Sequence, residues 1–504
     1  MSDLLAGFAV SLVLIPQAMA YAELAGLPAS YGLLAAALPP LLAAPFASSP
    51  YLQTGPTAMT ALLTFGALTA VSVPQTDEYI KLAALLAVIV GVGRVLLGVL
   101  RLGQLSYLMS HPVLTGFTSG AAVLIVSSQI PTGFGAHTPT GGVLYRAGWT
   151  LGHPSEWNGG AIAFMVLTMV LIIGGRRVHR LFPGVLLAVA GGVVAVHLTG
   201  FSGDVIGTIN TGFPRLRLNL PWGDTTSLLV AGAVIALVGF AEPTALARTF
   251  AAIEHEPWDP NREFIGQGMA NLASGFSGSL PVGGSFARSS LNHLAGARTR
   301  WSGAFTGMAV LAFLPVARNL EALPRAVLAG IVITAGVNLI KPKALYAIAA
   351  GSRPQGIVAV VTFLATLATA PRVERGILIG IGLSLIVHLW RELNIDCDLR
   401  IEGDTQVARV SGVLWFGSSN RLEDLLTNAV ADHPEIRHMV IDLSGVGRLD
   451  YSAALVFEQF LEDSEAAGVE VRFDAISPSA LRVLGSRLGG RAGIPEPADT
   501  TGGS

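Results

Sequence analysis

The chain has 504 residues, 52% of them hydrophobic and 13% charged, with 59 glycines and a formal net charge of −2. Soluble domains carry about 25% charged residues, so the composition excludes an ordinary soluble protein and points to a lipid bilayer. The near-neutral charge leaves no basic stripe for a nucleic-acid partner, and the single cysteine, Cys397, excludes a disulfide framework or a Cys-rich metal site.

In chain order, apolar runs are predicted as spans near 4–24, 31–46, 55–72, 82–100, 112–131, 159–175, 184–200, 225–242, 261–276, 284–296, 301–317, 324–340, 355–371 and 375–391. Their lengths are of the order that crosses a hydrocarbon core of ~30 Å. The first starts at Leu4 without a basic region ahead of it and runs into Pro16-Gln17, so it reads as a retained helix rather than a cleaved leader. Fourteen spans put both termini on one side. Arg101, the run Arg176 to Arg180, Arg298, Arg300, Lys341, Lys343 and Arg353 fall in loops of that side, which the positive-inside rule makes the cytoplasm. Arg146, Arg215, Arg217 and Arg318 fall on the other side, and the Arg176 to Arg180 run reads as a topology anchor.

Two spans are broken: one opens with Thr54-Gly55-Pro56-Thr57, the other with Pro281-Val282-Gly283-Gly284-Ser285. Gly55 and Gly284 are 229 residues apart, and Gln17 and Glu242, each next to a proline, are 225 apart. Interrupted helices at matching places in two halves mark an inverted-repeat transporter with its site near the midplane, and seven spans per half, an odd number, makes the repeat inverted. From Glu392 onward the composition becomes that of a soluble domain. Strand patterns at 406–416, 438–443 and 470–475 alternate with helix patterns at 421–431, 453–467 and 479–488, a small α/β sandwich.

Broken helices expose unpaired N–H groups at their positive ends, which hold an anion without a buried full charge. Gly55, Pro56, Thr57 and Ala58 open the first broken helix, and Gly284, Ser285, Phe286, Ala287, Arg288 and Ser289 open the second, with Arg288 supplying a countercharge. The alternative is that these small residues only permit close helix packing. Gln17 and Tyr21 share a face of the first helix one turn apart, as substrate contacts or as interhelical partners. Two carboxylates stand out within the spans, Glu242 at the end of the eighth and Glu23 near the end of the first. Buried acids pair, shift their pKa or mark an ion path, so both are candidates for proton coupling; the structural alternatives are pairing of Glu242 with Arg248 or Arg288 and an interfacial position for Glu23. His111, His293 and His388 sit at predicted helix ends as solvated side chains, and no catalytic constellation, cofactor motif or metal-ligand spacing is present.

The stretch Leu14-Ile15-Pro16-Gln17-Ala18-Met19-Ala20-Tyr21-Ala22, then Leu24-Ala25-Gly26-Leu27-Pro28, Tyr31-Gly32-Leu33 and Gly55-Pro56, resembles the sulfate permease family of anion transporters, also called SulP or solute carrier 26, in a prokaryotic member. The tail resembles a STAS domain, with the loop Asp442-Leu443-Ser444-Gly445-Val446-Gly447-Arg448-Leu449-Asp450-Tyr451-Ser452. The resemblance implies a polytopic α-helical fold of fourteen transmembrane segments in a 7+7 inverted repeat. It divides into a core (spans 1–4 and 8–11) and a gate (spans 5–7 and 12–14) that move like an elevator. It implies a substrate anion between the third and tenth spans near Gln17, Tyr21, Thr57, Ala58, Phe286, Ala287 and Arg288, and a homodimer. Sodium-coupled bicarbonate members carry a second carboxylate one turn after the glutamate of the eighth span; Leu246 stands there, which favours protons as the coupling ion. Ser452 matches the serine phosphorylated in anti-sigma antagonists, although Ala453 replaces the usual glycine and a helix cap near Asp450 or Ser452 is the plainer role.

The expected organisation is a transport domain over 1–392 (repeats of about 1–200 and 225–392), a linker at 393–403, a STAS domain at 404–490 and a disordered tail at 491–504. The expected function is proton-coupled symport of a small anion of the sulfate, bicarbonate or C4-dicarboxylate class across the cell membrane, with the N-terminus and STAS domain cytoplasmic. Alternatives are an anion exchanger or channel-like uniporter, a nucleobase symporter of the same fold, and a membrane sensor signalling through the tail.

Overall fold

The computed structural model describes residues 1–104, 109–179, 181–209 and 212–495, with Glu242 described in its backbone only. Arg180 of the basic run, the side chain of Glu242 and residues 496–504 of the expected tail lie outside the described residues. The chain divides into two compact units, Met1–Gly382 and Leu383–Ser504.

The first half of the larger unit contains α1 (Ser2–Leu24), α2 (Ala29–Ala43), the two-residue strand β1 (Thr54–Gly55), α3 (Ala58–Leu68), α4 (Asp77–Val99), α5 (His111–Phe134), α6 (Val143–Gly152), α7 (Gly159–Val178) and α8 (Gly184–Thr199). The second half contains α9 (Thr225–Glu254), α10 (Pro260–Phe276), the strand β2 (Gly283–Gly284), α11 (Phe286–Leu294), α12 (Trp301–Phe313), α13 (Arg325–Val337), α14 (Pro342–Gly351), α15 (Arg353–Ala368) and the start of α16 (Val373–Leu393). Each expected span has its helix. The short helices α6 and α14 were not expected, because their ten residues each are too few to register as spans.

The eighth span differs from its expected length. Glu242 and Pro243 lie inside α9, which continues to Glu254, so Glu242 is not at a helix end. Pro243 resembles a terminator, yet a membrane helix tolerates an interior proline because neighbours re-satisfy the freed backbone groups. Pro16 sits inside α1 in the same way.

Helix starts follow local chemistry. The Thr76 hydroxyl caps α4 by accepting from the Tyr79 N–H at 3.2 Å, and Asp77 and Glu78 face the positive end of the helix. Packing relies on glycine where backbones meet: a Cβ on Gly116 of α5 would lie 2.2 Å from the Ala359 carbonyl oxygen of α15, and one on Gly32 of α2 would lie 2.0 Å from that of Ala18 in α1. Without a hydrophobic drive between helices in lipid, such close approach supplies the van der Waals contact that holds them. Large apolar side chains such as Leu167, Val170, Val194, Leu364 and Ile386 are exposed, as suits faces covered by acyl chains.

The smaller unit holds the sheet β3 (Asp396–Glu402), β4 (Thr405–Leu414), β5 (His438–Leu449) and β6 (Glu470–Asp474) in that order, with helices α17 (Ser419–Ala431), α18 (Tyr451–Ala466) and α19 (Pro478–Leu488). β4, β5 and β6 are parallel; β3 is antiparallel to β4. The stretch expected as a linker therefore holds an edge strand, whose charged Asp396, Asp398, Arg400 and Glu402 hide its pattern and also protect an exposed edge. The start of the expected disordered tail is ordered too: the Phe473 N–H donates to the Ala492 carbonyl at 2.9 Å, and Ile494 is buried. The core is apolar, with Ile441, Leu443, Phe457, Phe473 and Leu484 fully or nearly fully buried.

At the sheet, Asp442 accepts from the Ser444 N–H at 2.8 Å and from Arg409 Nε at 2.7 Å. Burial pushes its pKa up, but these hydrogen bonds outweigh that and hold it below the ordinary value of 3.8. A depressed carboxyl adds stability that is present above pH ~4 and lost as pH falls through the lowered value. Calorimetry of the full chain should show the melting transition of this unit falling below pH ~4, and Asp442→Asn should remove that part of the pH dependence; an unchanged pH profile in the variant would contradict it.

Candidate anion site

The two broken spans meet. Thr54 pairs with Gly284 and Gly55 with Gly283, so β1 and β2 form a small antiparallel ribbon from which α3 and α11 start. Both helix N-termini are therefore tied to one point in the protein interior. At α3, Thr57 is the N-cap: its hydroxyl accepts from the Thr60 N–H at 3.2 Å, and Thr60 reciprocates to the Thr57 N–H at 3.3 Å. At α11, Ser285 is the N-cap but makes no side-chain capping bond, and the first backbone bond within that helix runs from the Ser289 N–H to the Ser285 carbonyl. The preceding first-turn N–H groups have no intrahelical acceptor, which is the arrangement that binds anions.

Arg288 lies alongside, 1% exposed. Its Nη1 donates to Gln17 Oε1 at 3.4 Å, and its Nη2 would be 3.4 Å from a Cβ on Gly55. Gln17, Gly55, Gly284, Ser285 and Arg288 are thus brought together from four separate elements. Tyr21, Thr57 and Ala58 are buried or half-buried beside them on α1 and α3. Pro56 bridges β1 to α3. Phe286 and Ala287 share the first turn of α11 with Arg288 but are exposed, whereas Arg288 is buried. The Ser289 hydroxyl accepts from the Gln53 N–H at 2.8 Å, so it anchors the approach to β1.

The two acids fare differently. The Glu242 backbone is next to Pro243, whose ring would lie 3.0 Å from a Cβ on Gly284, so this position adjoins β2. Glu23 is not in the cluster; its carboxylate pairs with Arg325 at the start of α13, 3.4 Å away. Ser452 lies in the first turn of α18, where Asp450, not Ser452, is the N-cap, accepting from the Ala453 N–H at 3.0 Å. Leu246 packs with Ala6, Tyr51, Leu52, Phe250 and Ala297 in an apolar cluster.

Sequence reasoning missed the side chains that support the ribbon. Non-helical backbone at membrane depth must have every polar group satisfied by protein. Asn271 does so at Val282, accepting from its N–H at 2.9 Å and donating to its carbonyl at 3.0 Å. Gln267 donates to the Thr54 hydroxyl at 2.7 Å, and Asn292 to the Tyr51 carbonyl at 3.1 Å. A third acid within the spans, Glu263, is fully buried and accepts from the N–H groups of Ser48 and Ser49 at 3.0 and 2.7 Å. The available signal was polar residues recurring along 263–271, one face of a helix at turn spacing. Arg94 of α4 was also passed over, although a charge amid an apolar run is itself a signal.

The sequence profile of the sulfate permease family matches residues 1–362, and that of the STAS domain matches residues 396–487. The chain belongs to the sulfate permease family. It is similar to the "Probable sulfate transporter MT1781" of Mycobacterium tuberculosis (strain CDC 1551 / Oshkosh), 31% identical over 77% of this chain and 70% of that protein. It is also similar to "Sulfate transporter 4.1, chloroplastic" of Arabidopsis thaliana, 27% identical over 93% of this chain and 74% of that protein. Relatives of this permease are thus both plant and mycobacterial, and they are transporters rather than enzymes. In fold it is similar to the murine Solute Carrier 26 family member A9 anion transporter in the inward-facing state, with a TM-score of 0.86 and 18% identity, covering 98% of this chain and 90% of that one. The transmembrane domain of a cyanobacterium bicarbonate transporter, BicA, aligns with a TM-score of 0.65 and 23% identity over 76% of this chain and 97% of that one. The permease is accordingly a multi-pass membrane protein of an anion-transport family with a C-terminal STAS domain.

Proposed function

We propose that this permease is a secondary active transporter of a small oxyanion, sulfate first, driven by protons and working by elevator-like alternating access. The observation that carries this reading is the β1–β2 ribbon, which aims two helix N-termini and the buried Arg288 at one locus. The printed names of the sequence relatives favour sulfate over bicarbonate or a C4 dicarboxylate. The mycobacterial relative is consistent with a prokaryotic-type member in the cell membrane; the basic loops favour the N-terminus and STAS domain on the cytoplasmic side, and a homodimer is the expected assembly. Gln17, Gly55, Thr57, Ala58, Gly284, Ser285 and Arg288 hold the anion. Of the two proton-coupling candidates, Glu242, adjoining β2, carries the proton, and Glu23 is paired with Arg325.

Reconstituted protein should take up labelled sulfate faster than bicarbonate or a C4 dicarboxylate, and an inward proton gradient should stimulate the flux. Glu242→Gln should leave uptake indifferent to the gradient, while Glu23→Gln should retain the stimulation. Gradient-independent flux in the wild type would instead favour the exchanger or uniporter, a reading supported by the engagement of Glu23 in an ion pair.

A further inference from the structure

Arg94 is completely buried in the C-terminal third of the apolar helix α4. Its guanidinium donates to three backbone carbonyls: Nε to Ala236 at 3.1 Å, Nη1 to Val282 at 2.9 Å and Nη2 to Ile235 at 3.1 Å. These partners engage each of its three nitrogens but carry no full negative charge, and among the described residues no carboxylate pairs with it. A buried cation without a counter-anion is costly. Its place in the fold indicates where the counter-anion comes from. Val282 directly precedes β2, so the guanidinium is hydrogen-bonded to the ribbon itself. Gly239 of α9 makes room for it: a Cβ there would meet Arg94 Nη2 at 2.7 Å and, on its other side, Thr60 Cγ2 of the first turn of α3 at 3.4 Å. Arg94 therefore sits behind the N-termini of both broken helices, while Arg288 lies beside them.

We propose that Arg94 is a second fixed positive charge of the anion site, acting through the ribbon without touching the substrate, and that it sets a preference for divalent over monovalent anions. The inference rests on the reading of this locus as an anion site. The interaction of a fixed charge with a ligand scales with the ligand charge, so removing it weakens a dianion by about the square of the factor lost for a monoanion of similar placement. Loss of packing or of the three hydrogen bonds has no such charge dependence.

The test is ligand-induced thermal stabilisation of the purified full chain by sulfate and by bicarbonate, which needs no transport cycle. Arg94→Gln and Arg94→Met, two neutral variants of similar length, should raise the apparent sulfate Kd on the order of 30-fold and that of bicarbonate about fivefold. Arg94→Lys, which keeps the charge and loses the fork of donors, should hold both values within about threefold. Equal losses for the two anions in a neutral variant, or an Arg94→Lys that loses the charge preference as a neutral variant does, would overturn the proposal. A wild-type chain stabilised by neither anion would overturn the anion-site reading itself, a distinct outcome.

Discussion

Arg288→Gln is expected to lower sulfate uptake in proteoliposomes by roughly 100-fold or more, with Arg288→Lys recovering part of it. The guanidinium is buried against Gln17 and Gly55 at the start of α11. A unit charge about 4 Å from an anion contributes about 4 kcal/mol at an effective dielectric of 20. Two-thirds of that already corresponds to a hundredfold in affinity, at about 1.4 kcal/mol per factor of ten. A glutamine keeps a donor in the same space and loses the charge, and a lysine keeps the charge and loses the planar fork. The measurement is initial uptake rate together with the thermal unfolding midpoint, so that a folding defect is separated from loss of the site. Wild-type flux in a folded Arg288→Gln protein would remove Arg288 from the site.

Gly32→Ala is the second large effect, and it acts on the frame. A Cβ at this position would lie 2.0 Å from the Ala18 carbonyl oxygen and 2.9 Å from the Met19 N of α1. The obstacle is helix backbone, which has no rotamer to move into, so α1 and α2 must separate next to Gln17. Overpacking costs about 1–3 kcal/mol and more where backbone must shift, so the unfolding midpoint should drop by roughly 1–4 °C in a unit of this size. Gly191→Ala in α8, where an added Cβ meets nothing within 4 Å, is the matched control and should melt like the wild type. Equal midpoints for the two variants would show that α1 and α2 adjust without penalty.

Much of this was legible along the chain because it is written in local chemistry. Length and hydropathy place a membrane helix at each expected span, since the cost of bare backbone in lipid leaves few alternatives. The glycine and proline breaks at Gly55 and Gly284 located the two half-helices, and the STAS-like pattern of strands and helices survived nearly unaltered in β4 to α19. Local signals failed where tertiary contacts override them. Asp396–Glu402 is too charged to read as a strand and is one because β4 pairs with it. Pro243 reads as a stop and is not one, because α9 is supported by its neighbours at that depth.

For the candidate site, the sequence by itself determined the inventory: an arginine, hydroxyls and two broken helices, with Gln17 and Glu242 at matching places in the two repeats. It did so because each of these is expensive in an apolar span and stands out there. Only the tertiary structure decided who meets whom. The pairing of Thr54 with Gly284 and Gly55 with Gly283, the placement of Arg288 against Gln17 and of Arg94 behind the ribbon, and the diversion of Glu23 to Arg325 join residues far apart in the chain. Such encounters depend on the packing of whole helices through glycine contacts and on the buried amides of Gln267, Asn271 and Asn292, a long-range balance of hydrogen bonds that no local pattern records.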